Sequence, residues 1–124
     1  MRLEKFLSIH CKKYITPHIL TELSNLVRYK ENNINFSDSI DSIKDKLNEY
    51  EEISFAKEEI LGDQMVNQFG ITDTSIKLLS EKNNKIIFTK DKSLCIYCKY
   101  AKKLPAIHIN DLESLFLTLT MFKE

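Results

Sequence analysis

Residues that interrupt or cross-link a chain are scarce in this sequence. Two glycines and two prolines in 124 residues exclude collagen, and each one is expected to mark a turn or a helix end. Three cysteines, an odd number, do not make a complete disulfide framework and favour a reducing compartment. No apolar run approaches the roughly 18 residues that span a bilayer, and no leader is recognisable. We therefore expect a cytoplasmic, unprocessed protein.

The composition is that of an ordinary folded domain. Hydrophobic residues make up 43% of the chain and charged residues 29%, which excludes a disordered protein and a coiled coil. A chain of this length buries about two-thirds of its unfolded surface, so it needs neither metal nor disulfides to hold a core. We therefore predict a single domain over residues 1–124.

Charge is balanced overall but not along the chain. The 18 basic and 18 acidic residues give zero formal net charge, so no global field attracts nucleic acid or membranes. Between Lys77 and Lys103, however, eight lysines stand against two acids. The simplest interpretation is that these lysines cover the solvated sides of two helices.

Apolar spacing predicts helices that alternate with strands along the whole chain. Three predicted helices cover residues 1–13, 56–61 and 92–104, and a fourth runs from Thr72 to the Asn83-Asn84 turn. Three more begin at a predicted cap: one at Pro17 with Thr16 as its cap, one with Ser37 or Asp38 as its cap, and one with Asp111 as its cap. The predicted strands cover 14–16, 52–55, 85–89 and 105–109. This alternation predicts a three-layer α/β/α fold with a central parallel sheet.

Three acidic residues lie where such a fold places its ligand sites. Sites in parallel sheets lie at the carboxyl ends of the strands, and Glu22, Asp73 and Asp91 are predicted there or in the first turns of the following helices. Two of them also have simpler interpretations: Asp73 as a helix N-cap, and Glu22 as part of a solvated or ion-paired helix face. Asp91 is the best indicated, because it directly follows an apolar strand.

Four segments of the chain resemble one known family. Gly-Ile-Thr-Asp-Thr-Ser-Ile at 70–76 matches a glycine, spacer and aspartate that open a helix, and Phe-Thr-Lys-Asp-Lys-Ser-Leu at 88–94 matches a Thr-x-Asp strand end. Residues 107–112 resemble a last strand, and residues 14–22 a strand and helix that carry a glutamate. In this order they resemble the PIN domain nucleases, whose prokaryotic members are typically metal-dependent ribonucleases and often toxins of toxin–antitoxin pairs.

The resemblance implies a catalytic metal site. Glu22, Asp73 and Asp91 would be three of the family's four acidic residues, which hold Mg²⁺ or Mn²⁺ for the hydrolysis of RNA phosphodiester bonds. The chemistry agrees, because clustered carboxylates repel one another until a cation lies among them, and hard oxygen ligands suit these ions. The partners implied are an RNA substrate and an antitoxin protein.

Residues near Asp91 would support this chemistry. Thr89 could hydrogen-bond a neighbouring carboxylate and fix its orientation, and Lys90 and Lys92 could contact the RNA backbone.

The chain departs from the family at its start. Family members begin with a central strand that ends in an aspartate, the first metal ligand, whereas Glu4 is the only acid before Tyr14 here. This PIN-like chain therefore lacks the first strand and one ligand. Two consequences follow: an alternative function as a catalytically impaired RNA- or protein-binding module, and exposed strand edges that a homo-oligomer could fill.

Two further interpretations are weaker. Cys95 and Cys98 have the spacing of a redox or half-zinc motif, but no second pair exists, so they are better interpreted as small apolar core residues. A response-regulator receiver fits the length and alternation, but the last predicted strand at 105–110 lacks the lysine that such a domain requires.

Overall fold

Helices supply most of the computed structural model, which describes residues 12–31 and 35–111. The helices are α1 (Pro17–Glu31), α2 (Phe36–Asn48), α3 (Lys57–Leu61), α4 (Val66–Asn83) and α5 (Lys92–Ile96), which continues as a π-helix (Tyr97–Ala101), and the strands are β1 (Tyr14–Ile15), β2 (Glu51–Glu52), β3 (Ile87–Thr89) and β4 (Ala106–His108). The predicted alternation of helices and strands, and with it the mixed α/β class, is confirmed.

The strands form two parallel pairs. β1 pairs with β2, with Tyr14 opposite Glu51, and β3 pairs with β4, with Ile87 opposite Ala106. Within residues 12–31 and 35–111 no ladder joins the two pairs, so the single central sheet predicted from the sequence is not observed there. Each strand is only two or three residues long, which is shorter than the predicted strands.

Helix α4 begins earlier than predicted and contains a break. Its first turn precedes Gly70, where φ is 87° and the backbone is not helical. This left-handed conformation favours glycine, because a Cβ would be strained there. The helix predicted from Thr72 corresponds to the part after Gly70, and its predicted end is confirmed, since Asn84 adopts the left-handed cap conformation with φ 55°.

The predicted helix caps have different outcomes. The Thr16 cap of α1 is confirmed, because its hydroxyl accepts the Ile19 N–H at 3.4 Å. The caps predicted for α2 are wrong: Ser37 and Asp38 lie inside the helix, and Asn35 precedes it without a side-chain cap hydrogen bond. Asp111 is likewise not a cap, since the chain is already helical over 109–111.

Both predicted terminal helices lie largely beyond the described part of the chain. Residues 1–11 and 112–124 are outside it, and residues 12 and 13, the end of the first predicted helix, are not helical. The prediction for 92–104 is confirmed in part, since helical structure extends from Lys92 to Ala101.

A buried chain of hydrogen bonds connects α1 to α4. The Ser75 hydroxyl donates to the Thr72 carbonyl at 2.6 Å and lies 3.0 Å from the Thr16 hydroxyl. A hydroxyl has one proton, so Thr16 must donate to Ser75, and Thr16 in turn accepts the Ile19 N–H. The side chains of Thr16 and Ser75 are both fully buried, and the chain therefore fixes the start of α1 against the first turn after Gly70.

The core lies between β3, β4, α5 and the start of α4. Among the described residues its central cluster contains six: Met65, Ile87, Leu94, Cys95, Cys98 and Ala106. Both cysteines are buried free thiols, which confirms their interpretation as core residues. Burial raises the pKa of the Cys98 thiol to about 11, so it is protonated and unreactive at neutral pH.

One of the lysines predicted to be solvated is instead buried. Lys77 is only 3% exposed and forms an ion pair with Asp63, with Glu81 3.6 Å away. Although burial lowers the pKa of this ammonium, the two carboxylates outweigh that effect and raise it. The buried charge of Lys77 is tolerated because the carboxylates of Asp63 and Glu81 lie beside it and compensate it.

We predict that Thr16→Val destabilises the protein by about 1–3 kcal/mol, because Ser75 then loses its buried donor. Chemical denaturation measures the free energy of unfolding. Thr21→Val is the matched control, since the Thr21 hydroxyl is exposed and bonds only to the Pro17 carbonyl of its own helix. Equal losses of unfolding free energy in the two variants would show that the Thr16–Ser75 contact does not stabilise the protein.

Candidate metal and nuclease site

The three predicted acids come from three different elements. Glu22 lies on the exposed face of α1, Asp73 is the third residue after the Gly70 break in α4, and Asp91 immediately precedes α5. Asp73 is half-buried, whereas Glu22 and Asp91 are exposed. Asp73 is not an N-cap, because Gly70 occupies the break and Asp73 lies within the helical turn that follows it.

Burial and two negative charges from other elements act on the Asp73 carboxyl. The pKa of Asp73 is raised above its usual value, first by burial and then by the negative charges of Asp91 and Glu22. Glu22 lies on α1 and Asp91 immediately precedes α5, so these charges act on Asp73 from residues that are distant in the sequence.

The three acids differ in their relation to the strands. Asp91 is the second residue after β3, whereas Glu22 is the seventh residue after β1 and lies within α1. Asp73 follows no strand directly, because α3 and the first turn of α4 precede it. Near the starts of β1 and β3 the Lys85 ammonium lies 4.3 Å from the centroid of the Tyr14 ring. Asp91 therefore lies at the carboxyl end of a strand, where the sequence argument expected a ligand site.

Asp91 is held in place by its own loop. Its Oδ1 atom accepts the Leu94 N–H at 3.1 Å and caps α5, while its backbone N–H donates to the Thr89 hydroxyl at 3.0 Å. Thr89 was predicted to hydrogen-bond a carboxylate, but it binds the main chain two residues later, because Thr-x-Asp closes a short side-chain turn. Thr89 thus orients Asp91 through the backbone.

His108 supports the same loop and was not singled out by the sequence analysis. Its Nδ1 accepts the Asn110 N–H at 3.2 Å, so the proton of the neutral ring lies on Nε2, which donates to the Lys90 carbonyl at 2.9 Å. The end of β4 is thereby connected to the loop that carries Asp91. A histidine at a strand end was the only signal in the sequence, and it does not identify its partner.

The two lysines predicted to contact RNA flank Asp91. Lys90 and Lys92 are both exposed, and neither forms an ion pair with a described acid. Their ammonium groups are therefore accessible to an anion next to the carboxylates.

The donor set suits a hard divalent cation. Three carboxylates supply only oxygen ligands, and their mutual repulsion, seen in the raised pKa of Asp73, is relieved by a positive ion. As placed, no three histidine, cysteine or acidic residues of the described chain form a ready coordination group.

Comparison with known proteins finds no matching family, no similar curated protein and no similar solved structure. Among the described helices, none has the length and apolar character needed to cross a membrane.

We predict that Asp73→Asn stabilises the metal-free protein at neutral pH by about 0.5 kcal/mol, a modest gain because solvent screens a partly exposed carboxyl. The folded-state pKa of Asp73 is raised, so its charge opposes folding. This penalty is complete above the folded-state pKa and disappears below the ordinary aspartate pKa of about 3.9.

Thermal unfolding in chelator across a pH series measures this effect. The gain should shrink as the pH falls toward about 4. Asp45→Asn, which removes an exposed carboxylate from α2, is the control and should show no such trend. A destabilised Asp73→Asn protein at neutral pH would show that the carboxylate is not repelled by its neighbours.

Proposed function

We propose that this protein is a divalent-metal-dependent endoribonuclease of PIN type that hydrolyses RNA phosphodiester bonds. The observation that carries the proposal is the raised pKa of Asp73, to which the charges of Asp91 and Glu22 contribute after burial. The order of these acids along the chain and the position of Asp91 at the end of β3 support it. An antitoxin partner and a cytoplasmic location belong to the same proposal.

Each acid has a defined task in this reaction. Glu22, Asp73 and Asp91 hold the Mg²⁺ or Mn²⁺, which when bound activates a water and offsets charge on the phosphate. Asp91 is preorganised, because the Leu94 N–H and the Thr89 hydroxyl fix its carboxylate and its backbone. Lys90 and Lys92 orient the phosphodiester by binding its non-reacting oxygens.

We expect Asp73→Asn and Asp91→Asn each to lower metal-dependent RNA cleavage at least about 100-fold. Asparagine caps a helix as well as aspartate does, so Asp91→Asn removes the charge and keeps the start of α5. The assay measures single-turnover cleavage of a labelled RNA in Mn²⁺ and in chelator, and Asp45→Asn is the control. Cleavage that is unchanged in both site variants would refute the proposal.

Calorimetric titration of Mn²⁺ separates the two functions predicted from the sequence. Binding that the double variant Asp73→Asn/Asp91→Asn abolishes would place both acids in one site. A folded wild-type protein that binds no Mn²⁺ and cleaves no RNA would instead favour the catalytically impaired RNA- or protein-binding module.

We further propose that the two strand pairs are halves of one sheet in a three-layer fold. The carbonyls of Lys13 and Ile15 accept hydrogen bonds from residues around β2, and the Ile87 N–H donates toward β4. Backbone groups alternate in direction along a strand, so those of Tyr14 and Phe88 point away from these partners. Open edges of this kind bind a further strand, which a second copy of the chain would supply.

We expect the protein to elute as a dimer or larger in size-exclusion chromatography with light scattering. Phe88→Lys should shift it toward monomer, because a charge on the open edge disfavours strand addition. Leu61→Lys is the matched control, since Leu61 is 54% exposed on α3 and Phe88 41% exposed on β3. A wild-type protein that is monomeric at high concentration would contradict the homo-oligomer.

A further inference from the structure

The segment from Lys90 to Lys103 has an excess of positive charge. It contains five lysines, Lys90, Lys92, Lys99, Lys102 and Lys103, and Asp91 is its single acid. All five are exposed, and none forms an ion pair with a described acid. Two lysines of α4 are paired instead: Lys77 with Asp63 and Lys82 with Glu59.

Three of these lysines form part of one exposed ridge. Leu94, Cys95 and Cys98 face the core, so the opposite side of α5 and the π-helix is solvent-facing. That side carries Lys92, Ile96, Lys99 and Tyr100, and the exposed Lys103 follows shortly after the π-helix. We call these five residues the lysine ridge, which starts beside Asp91.

An exposed aromatic ring lies in the middle of the ridge. Tyr100 is 69% exposed, and the Lys99 ammonium lies 5.6 Å from its ring centroid. Tyr97, by contrast, packs against Phe69 with 4.8 Å between ring centroids and helps to cover the core. Tyr100 therefore contributes little to the described packing, and most of its ring is open to solvent beside the Lys99 ammonium.

The backbone at the ridge has two unusual features, a left-handed residue and a π-helix. Lys103 has a φ of 54°, a left-handed conformation in which glycine is the favoured residue after a helix. The chain also forms a π-helix at 97–101, a rare conformation that is frequent at functional sites. Lys103 therefore occupies a position where glycine would be more stable.

We propose that the lysine ridge binds single-stranded nucleic acid. Lys92, Lys99 and Lys103 contact successive phosphates, and Tyr100 stacks on a base. This combination of a basic track and an aromatic platform is how proteins bind single strands, whose bases are free to stack. The ridge deepens the proposed nuclease function, on which its role in substrate delivery rests, since a strand bound there leads to the carboxylates around Asp91.

Fluorescence anisotropy in chelator tests binding apart from cleavage. The probes are a fluorescein-labelled oligouridylate, an oligothymidylate of equal length and an RNA duplex. We expect Tyr100→Ala to weaken oligouridylate binding about tenfold and Tyr100→Phe to preserve it, because stacking needs the ring and not the hydroxyl. Lys99→Ala/Lys103→Ala should reduce the slope of log affinity against log salt by about 1.4, because each phosphate contact to a single strand contributes about 0.7.

Two further variants guard against misinterpretation. Lys44→Ala/Lys46→Ala removes two exposed lysines from α2 and should leave binding unchanged. Lys103→Gly relieves the left-handed backbone, so it should raise the melting temperature while it weakens binding. A merely structural role for Lys103 would not produce these opposite changes.

The outcomes are distinguishable. Equal binding of the oligouridylate and the oligothymidylate would show that the ridge binds single strands in general. Tighter binding of the oligouridylate would show that the ridge is specific for RNA. Binding that ignores Tyr100→Ala and is displaced equally well by inorganic polyphosphate would overturn the proposal, as would preferential binding of the duplex. A wild-type protein that binds the oligouridylate through the ridge but cleaves no RNA in Mn²⁺ would refute the nuclease and leave the ridge proposal intact.

Discussion

The contact between the hydroxyls of Thr16 and Ser75 determines how α1 packs against α4. Thr16 follows β1 and caps α1, and Ser75 lies in the first turns after the Gly70 break. Because both side chains are buried, each hydroxyl depends on protein groups for its hydrogen bonds. The contact therefore fixes the helix that carries Glu22 against the helix that carries Asp73, and the geometry of the candidate site depends on it.

The sequence predicted elements with strong local signals and missed features that depend on distant contacts. Pro17 after Thr16 marks the start of α1, and the Asn83-Asn84 turn marks the end of α4, because both act through their own backbone. The division of the strands into two pairs depends on which segments pair with each other, and apolar runs in the sequence do not predict that pairing. Lys77 looked solvated for the same reason, since its partner Asp63 lies 14 residues away.

The candidate site shows the same difference between local sequence signals and distant contacts. Its acids were predicted from their position after strands and from family resemblance, and in the structure the charges of Asp91 and Glu22 add to burial in raising the pKa of Asp73. The supporting contacts were beyond sequence reasoning. A turn in which Thr89 binds a backbone N–H, and a histidine whose tautomer is set by Asn110, are decided by atomic geometry that residue types leave open.

The π-helix at 97–101 also bears on how this chain tolerates changes in length. A π-turn contains one residue more than the α-helical turn it replaces, so the surplus is stored within the helix and not in the loop before β4. Loss of one residue there tightens the turn to an ordinary helix while Leu94 and Ala106 keep their places in the core. Insertions and deletions in this region are thus expected to alter the outer surface of the helix and to leave the strand pairing behind it intact.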